Sequence, residues 1–516
     1  MKRTLATLFC AVLIAALCVT ALAEGYDKTI TFSDGCLMVT AGDNFYDELY
    51  DHINEMFNFK MDIWPMNWDN YHELPRIWMN SDEAPDIFVW DFNFTDYLSW
   101  IDQGLIEPLP EDYAEKYPNL AKAISKTSLT EFLKEKAGGR LYCVPHVQFR
   151  DPPSNPLFPN HVLHYRKDWA DKVGVTVGDT ITLDELFDLA KKFVEEDPGE
   201  NGPGNTIGLT IRTEFLNIMV MNMFNKNFDD FYLNGDTYAW GPMDEATFEG
   251  LEYLKKQYDA GLIDRDFYTY SGNDYYDKFN SGKAGMMFGT GHGNEQNTIR
   301  IDFQVTNPDL NVDDVLGTAV VVGNDGVWRG SEEPNYWTVT LFKAGIDPEV
   351  MDRILAIQDY LCSDEGYRFV RMGIEGKDYV WNGDVIEPLR EKDPETGIAV
   401  DIMNVYPSQR VWVFMSVLDD QWGMINPELP EYIRTRVENA FKIKAANNDY
   451  KAYDWDAELF TGPYSDKFSV DFGENIVPDL ITKDGDLRAN WEAFKAENQD
   501  MVERVIAEMN AGILGK

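Results

Sequence analysis

Histidine and cysteine are scarce in this chain, six of the first and five of the second among 516 residues. That leaves little material for zinc, haem or iron-sulfur centres, which draw most of their ligands from those two side chains. Bases are short relative to acids, 45 Lys and Arg against 89 Asp and Glu, for a formal net charge of -44. Such a surface repels phosphate backbones and anionic headgroups, which excludes nucleic acid as a partner and speaks against a membrane surface. Catalytic signatures are missing too. There is no Gly-x-Ser-x-Gly elbow and no phosphate loop, and His72-Glu73 lacks the second histidine of a zinc helix. No low-complexity linker divides the chain, so its lobes are expected to be joined by several crossings. With 44% hydrophobic and 26% charged residues, it has the composition of two or three globular domains.

Long apolar runs are limited to one. Lys2 and Arg3 precede an apolar stretch from Leu5 to Ala23 that ends Ala21-Leu22-Ala23, a small-x-small pattern suited to signal peptidase. Residues 1–23 therefore read as a cleaved export signal. The alternative is an uncleaved anchor, since the run is just long enough to span a bilayer, but no basic stop signal follows it. Cys18 follows the bulky Leu17 where a lipobox has a small residue, which speaks against a lipid anchor. Cleavage leaves Cys36, Cys143 and Cys362. Three thiols permit at most one bridge, so no disulfide framework is expected and buried free thiols are favoured.

Short β-rich runs alternate with amphipathic helical stretches, the pattern of α/β lobes. Strands are expected at Cys36 to Thr40, Phe59 to Trp64 and Ile87 to Trp90, with helices between and Gly104 closing the helix that follows. A second α/β series runs from Val162 to about Thr340. It contains a capping box at Thr182 to Glu185 opening a helix to about Glu195, a helix from Ala246 to Ala260, and a strand from Gly285 to Phe288. The last third reads as largely helical, with helices at Pro427 to Ala446 and Leu487 to Met509.

Candidate chemistry is uneven in information. With 89 acids, carboxylate pairs for acid-base hydrolysis occur by chance alone. His161 and His164 fall three apart in a strand and face opposite sides, which is unsuited to a shared metal. The loop Gly289 to Gly293, carrying His292, follows a strand where open α/β sheets bind ligands, although a plain connection accounts for it equally well. The segment Asp197 to Thr206 resembles the opening of a calcium loop, with oxygen side chains at Asp197, Asn201 and Asn205. Gly199 occupies the third position and no bidentate Glu follows, so a plain turn is the competing reading.

Aromatic residues are abundant, with 14 Trp, 26 Tyr and 30 Phe. Indole faces stack on the apolar C–H faces of sugar rings while acid and amide neighbours bond the hydroxyls. A single Trp is more simply explained by core packing, but several together near expected strand ends and loops suggest a cleft lining. The candidate ligand-binding residues are Asn44, Trp68, Trp90, Asp91, His146, Gln148, Trp240, His292, Trp328, Trp337, Trp381 and Trp412.

Several blocks resemble bacterial extracellular solute-binding proteins of family 1. They are Gly139 to Pro145, Leu163 to Trp169, Thr182 to Leu186, the Asp197 loop, GLEYLKKQYDAGLIDRDFYTY at 250–270, FNSGKAGMMF at 279–288 and SDEGYRFVRMGIEGKDYVW at 363–381. The resemblance covers nearly the whole chain after the signal and points to the long oligosaccharide-type branch. It implies an α/β fold of the two-lobe periplasmic-binding-protein type II kind, with hinge strands and a largely helical C-terminal region. Lobe 1 would cover 24–143 and lobe 2 mainly 144–340, with hinge crossings near 141–147 and 337–342 and residues 341–516 completing the lobes. Alginate-oligosaccharide members carry a calcium loop at the position of Asp197 to Thr206, so any ion here would be structural.

The resemblance further implies a non-enzymatic substrate-binding subunit of an ABC importer. It would capture an oligosaccharide between its lobes and deliver it to the transmembrane permease subunits. The protein is expected as an exported monomer, periplasmic or extracellular, held at the cell envelope through the transporter and requiring no cofactor. Negative charge favours neutral sugars, whereas Arg150, Arg166, Arg212 or Arg410 would locally favour a uronate. The alternatives are a receptor for peptides or other small solutes, and a secreted carbohydrate-active enzyme.

Overall fold

The strands that matter for function run in chain order as β1 (Ile30–Cys36), β2 (Phe59–Pro65), β3 (Ile87–Trp90), β4 (Cys143–Pro145), β5 (His161–Arg166), β6 (Thr180–Thr182), β7 (Ile207–Thr210), β8 (Ala284–Thr290), β9 (Leu316–Val322) and β10 (Val339–Phe342). The computed structural model describes residues 26–516 apart from 40, 41, 43, 271–273, 384, 395–397, 416 and 419–420. The expected export signal lies outside the described residues. The chain divides into two units. The first takes the chain up to Arg150, Tyr336–Arg390 and Val400–Leu418, and the second takes Asp151–Asn335, Glu391–Ala399 and Asp419–Lys516.

In the first unit the strand order is β2-β1-β3-β10-β4. β1 pairs parallel with β2 and β3, while β10 runs antiparallel to both β3 and β4. The helix Glu48–Phe57 between β1 and β2 buries Leu49, Tyr50, Ile53 and Phe57. Asp47 caps its start, accepting from the Leu49 and Tyr50 N–H groups, and the same carboxylate accepts from the Ser408 hydroxyl at 2.6 Å. At the other end, buried Arg353 donates to the Phe57 and Asn58 carbonyls, setting a cation against the negative helix terminus. These ties explain why sequence as remote as 353 and 408 belongs to the first unit. Gly104 closes the helix Phe94–Gln103 in the left-handed conformation with φ 66°, as expected.

The second sheet has the order β6-β9-β5-β8-β7, with β5 antiparallel to β8 and β9. Thr182 and Glu185 form both hydrogen bonds of the capping box at the start of the helix Leu183–Glu196. That helix lies tight on β8: a Cβ at Gly285 would fall 2.2 Å from the Phe193 ring, so only glycine fits. The C-terminal helix Leu487–Gly512 docks through fully buried Trp491, whose Nε1 donates to the Pro242 carbonyl at 2.9 Å.

Cys36, Cys143 and Cys362 are free and buried. No helix among the described residues is long and apolar enough to cross a membrane. Several expected bounds shift. The first strand ends at Cys36 instead of beginning there, and the helix expected from Pro427 starts at Glu431. The segments 141–147 and 337–342, expected as hinge crossings, contain β4 and β10, which pair with each other inside the first sheet. The chain leaves the first unit after Arg150 and re-enters it at Tyr336, and 341–390 joins that unit.

Candidate functional site

Parallel strands deliver their following residues to one edge of a sheet, and in open α/β folds that carboxyl edge is where ligands bind. In the first unit the edge collects the exits of β1 to β4 and the entry to β10. Trp68 follows β2, Asp91 follows β3, His146 follows β4 and Trp337 precedes β10. Trp68 is 53% exposed, and its indole stacks on Trp337 with centroids 5.5 Å apart and planes 29° apart. Tyr71 stands edge-on to Trp68 at 5.7 Å, and the His72 ring lies 3.8 Å from Tyr71. His72 Nδ1 is 2.7 Å from the Asp91 carboxylate. The result is an accessible aromatic surface with an imidazole and a carboxylate at its margin.

His146 supports this surface from below. Its ring is fully buried, with Nδ1 2.8 Å from the Thr338 hydroxyl and Nε2 2.7 Å from that of Thr340. Burial pushes its pKa down to about 3, so the ring is neutral at physiological pH. Phe414 packs 6.0 Å from His146 and 6.2 Å from Trp337, which links the buried ring to the exposed stack. Gln148 is half-buried, and its Oε1 is buried with no hydrogen-bond partner.

Four expected cleft tryptophans are core residues instead. Trp90 is fully buried against Trp100 at 4.7 Å, because β3 is covered on both faces. Trp412 is fully buried beside Tyr50 and Phe59, with its Nε1 donating to Ser408 Oγ at 3.1 Å. In the second unit Trp240 is sealed among Phe231, Phe468 and Phe494. Trp328 is covered by Phe158 at 4.8 Å and by the Lys444 ammonium 5.3 Å from its centroid. Of the remaining candidates, Trp381 is exposed on the separate hairpin Tyr379–Asn382 and Val385–Pro388, under the Arg368 guanidinium. Asn44 is exposed in the loop after β1, and His292 occupies the N-cap of the helix Gly293–Thr306.

The second unit has its own carboxyl edge, formed by the exits of β7 and β8 and the entry to β5. His161 at the start of β5 is held near pKa 3 by burial and by the neighbouring Lys444 and His292. Buried Lys444 fixes this entry by donating to the Pro159 and His161 carbonyls, and desolvation pushes its pKa down to about 7. The His161 ring faces Phe215 at 5.5 Å, and Phe215 in turn lies 6.1 Å from Tyr275. A cavity of about 540 Å³ opens beside these residues, bordered by Arg212, Tyr275, Asn280 and Glu295. The sequence reading missed Tyr71, His72, Phe215, Tyr275 and Glu295 as site residues. For Tyr71, His72, Phe215 and Glu295 the usable signal was a distance of a few residues from a strand exit, which requires the strand ends to be known; Tyr275, on the helix Asp274–Asn280, carried no such signal.

The Asp197 loop is tied together by its own hydrogen bonds. The Asp197 carboxylate accepts from the Asn201 and Gly202 N–H groups at 3.0 and 2.8 Å and from the Thr206 hydroxyl. Asn201 and Asn205 offer side-chain nitrogens to Thr206 and to the Asn201 carbonyl. Gly199 supplies no oxygen side chain, so Asp197, Asn201, Asn205 and backbone carbonyls are the oxygens this loop could offer a calcium ion. Among the described residues no three His, Cys, Asp or Glu side chains converge to hold a metal.

Residues 65–350 match the family model of the bacterial extracellular solute-binding proteins. The chain belongs to this family. Solute-binding proteins are receptors, not enzymes. The polygalacturonan/rhamnogalacturonan-binding protein YtcQ of Bacillus subtilis is 24% identical over 273 residues, 52% of this chain and 50% of the relative. The fructooligosaccharide ABC transporter substrate-binding protein FusA of Streptococcus pneumoniae is 25% identical over 236 residues, 43% of each chain. The chain thus spans about half the length of these curated relatives. FusA solved in complex with kestose superposes with a TM-score of 0.65 at 15% identity, covering 93% of this chain and 98% of that one. The alginate-binding protein AlgQ2, solved without calcium ion, gives a TM-score of 0.64 at 15% identity over 94% and 98%. These likenesses establish the two-lobe solute-binding fold.

Proposed function

We propose that this chain is the exported, monomeric receptor of an ABC importer, which captures an oligosaccharide and hands it to transmembrane permease subunits. The observation that carries the reading is the stack of exposed Trp68 on half-buried Trp337, edged by Tyr71 and by the His72–Asp91 pair, at the carboxyl edge of the first sheet. Stacked indoles match the apolar faces of consecutive sugar rings, and the carboxylate and imidazole match their hydroxyls. The relatives' names point the same way, since their ligands include polygalacturonan, fructooligosaccharide and kestose. The reading requires no cofactor.

Isothermal titration of the protein against neutral and acidic oligosaccharides and short peptides tests it, with product analysis of each bound ligand. The expected result is binding of one oligosaccharide class, returned chemically intact. Binding of peptides alone, or cleavage of the bound sugar, would establish one of the two alternatives instead.

A further inference from the structure

The cavity of about 540 Å³ in the second unit lies between two helices, Asp274–Asn280 and Gly293–Thr306, and reaches the sheet edge at Arg212. Its walls carry three carboxylates, Asp277, Glu295 and Asp302, and a single base, Arg212. That base is already matched: Arg212 lies 3.6 Å from the Glu214 carboxylate. Asn280 borders the cavity as a residue only 6% exposed, and its Oδ1 has no hydrogen-bond partner. A buried amide oxygen without a donor is destabilising, so it marks a place where a donor from a ligand would be taken up. Tyr275, packed in the Phe215 chain, supplies an aromatic wall.

Of the other arginines considered as anion receptors, Arg166 and Arg150 are paired with carboxylates. Arg166 makes two hydrogen bonds to Asp168 at 2.8 and 2.7 Å, and Arg150 is paired with Asp364. The geometry points to a ligand that is an oligosaccharide without carboxylate groups: the cavity receives an uncharged sugar unit as a hydroxyl donor and rejects a uronate. This rests on the oligosaccharide reading above and chooses between the polyuronate and neutral ligands named for the relatives. Hydroxyl groups donate to carboxylates and to the Asn280 oxygen, whereas a uronate brings a fourth negative charge among three, against one arginine that already has a carboxylate beside it. The charge state of Glu295 reports the same field, since burial and Asp302 push its pKa up to about 7.

The test is titration at pH 8 and low salt of neutral oligosaccharides, including gluco-, xylo- and fructo-oligosaccharides, and of C6-oxidised counterparts of those gluco-oligosaccharides that bind. Oligogalacturonate and alginate oligosaccharides complete the panel. The expected result is that a neutral member binds while every uronate binds at least about tenfold more weakly. Where an oxidised counterpart retains measurable binding, the gap should narrow in the double variant Glu295→Gln/Asp302→Asn. Uronates binding as tightly as neutral sugars, or tighter, overturn the charge selection while leaving the oligosaccharide reading in place. A gap that persists unchanged in the double variant removes this cavity as its source. Absence of binding to every sugar overturns the reading and this inference together.

Discussion

At the residue scale, an indole's role is set by what covers it and not by its place in the chain. Trp68 and Trp412 lie in the same unit and both contact other aromatics, yet one is 53% exposed and the other fully buried. Substituting them separates binding from stability. Trp68→Ala is expected to weaken oligosaccharide binding by about tenfold or more, the loss of one stacking partner, with thermal stability changed by less than about 1 kcal/mol. Trp412→Ala removes a fully packed ring and is expected to cost about 3–5 kcal/mol in urea unfolding. Equal stability losses in the two variants would contradict these assignments. His146 makes the same point for polar residues: its ring bonds two threonine hydroxyls in the core and so braces the aromatic surface instead of touching a ligand.

At the scale of elements, local signals were reliable wherever the interaction spans a few residues. The Thr182–Glu185 box, the Gly104 cap and the Ile87–Trp90 strand form at the positions their residue types indicate. The box closes reciprocal bonds to backbone groups that the first turn leaves unpaired. Thr182→Ala is therefore expected to lower stability by about 1 kcal/mol, measurable as a drop in urea midpoint with an unchanged m-value. Elements whose limits depend on a partner strand were less legible. β1 ends at Cys36 because its seven residues pair with β2 up to Pro65, and that register is invisible in either segment alone.

For the molecule as a whole, charge dominates. With a formal net charge of -44, the folded state carries self-repulsion that unfolding relieves by spreading the charges apart. Raising NaCl from about 20 mM to about 300 mM shortens the screening length from roughly 20 Å to below 10 Å, so the melting temperature is expected to rise. A melting temperature that is flat or falls with salt would mean that attractive ion pairs outweigh the repulsion. The division into units is also a whole-molecule property. Residues 348–362 join the first unit because Arg353 reaches the carbonyl end of a helix some 295 residues earlier in the chain.

The sequence by itself determined the class of the protein: acidic, poor in metal ligands, without catalytic signatures, built as alternating strands and helices, and similar in ordered blocks to solute-binding proteins. Those properties are sums over residues or short-range patterns, and neither depends on which distant segments meet. Trp68, Asp91 and Trp337 could be named from their nearness to expected strand ends. Only the tertiary structure decided which candidates share an edge, because Trp337 reaches Trp68 through antiparallel pairing of β10 with β3 across some 250 residues. It likewise consigned Trp90, Trp240, Trp328 and Trp412 to the core, since burial is decided by the faces that pack over a residue. Charge selection at the second edge belongs to the same kind of fact: Asp277, Glu295 and Asp302 oppose an anion because two helices bring them around one cavity.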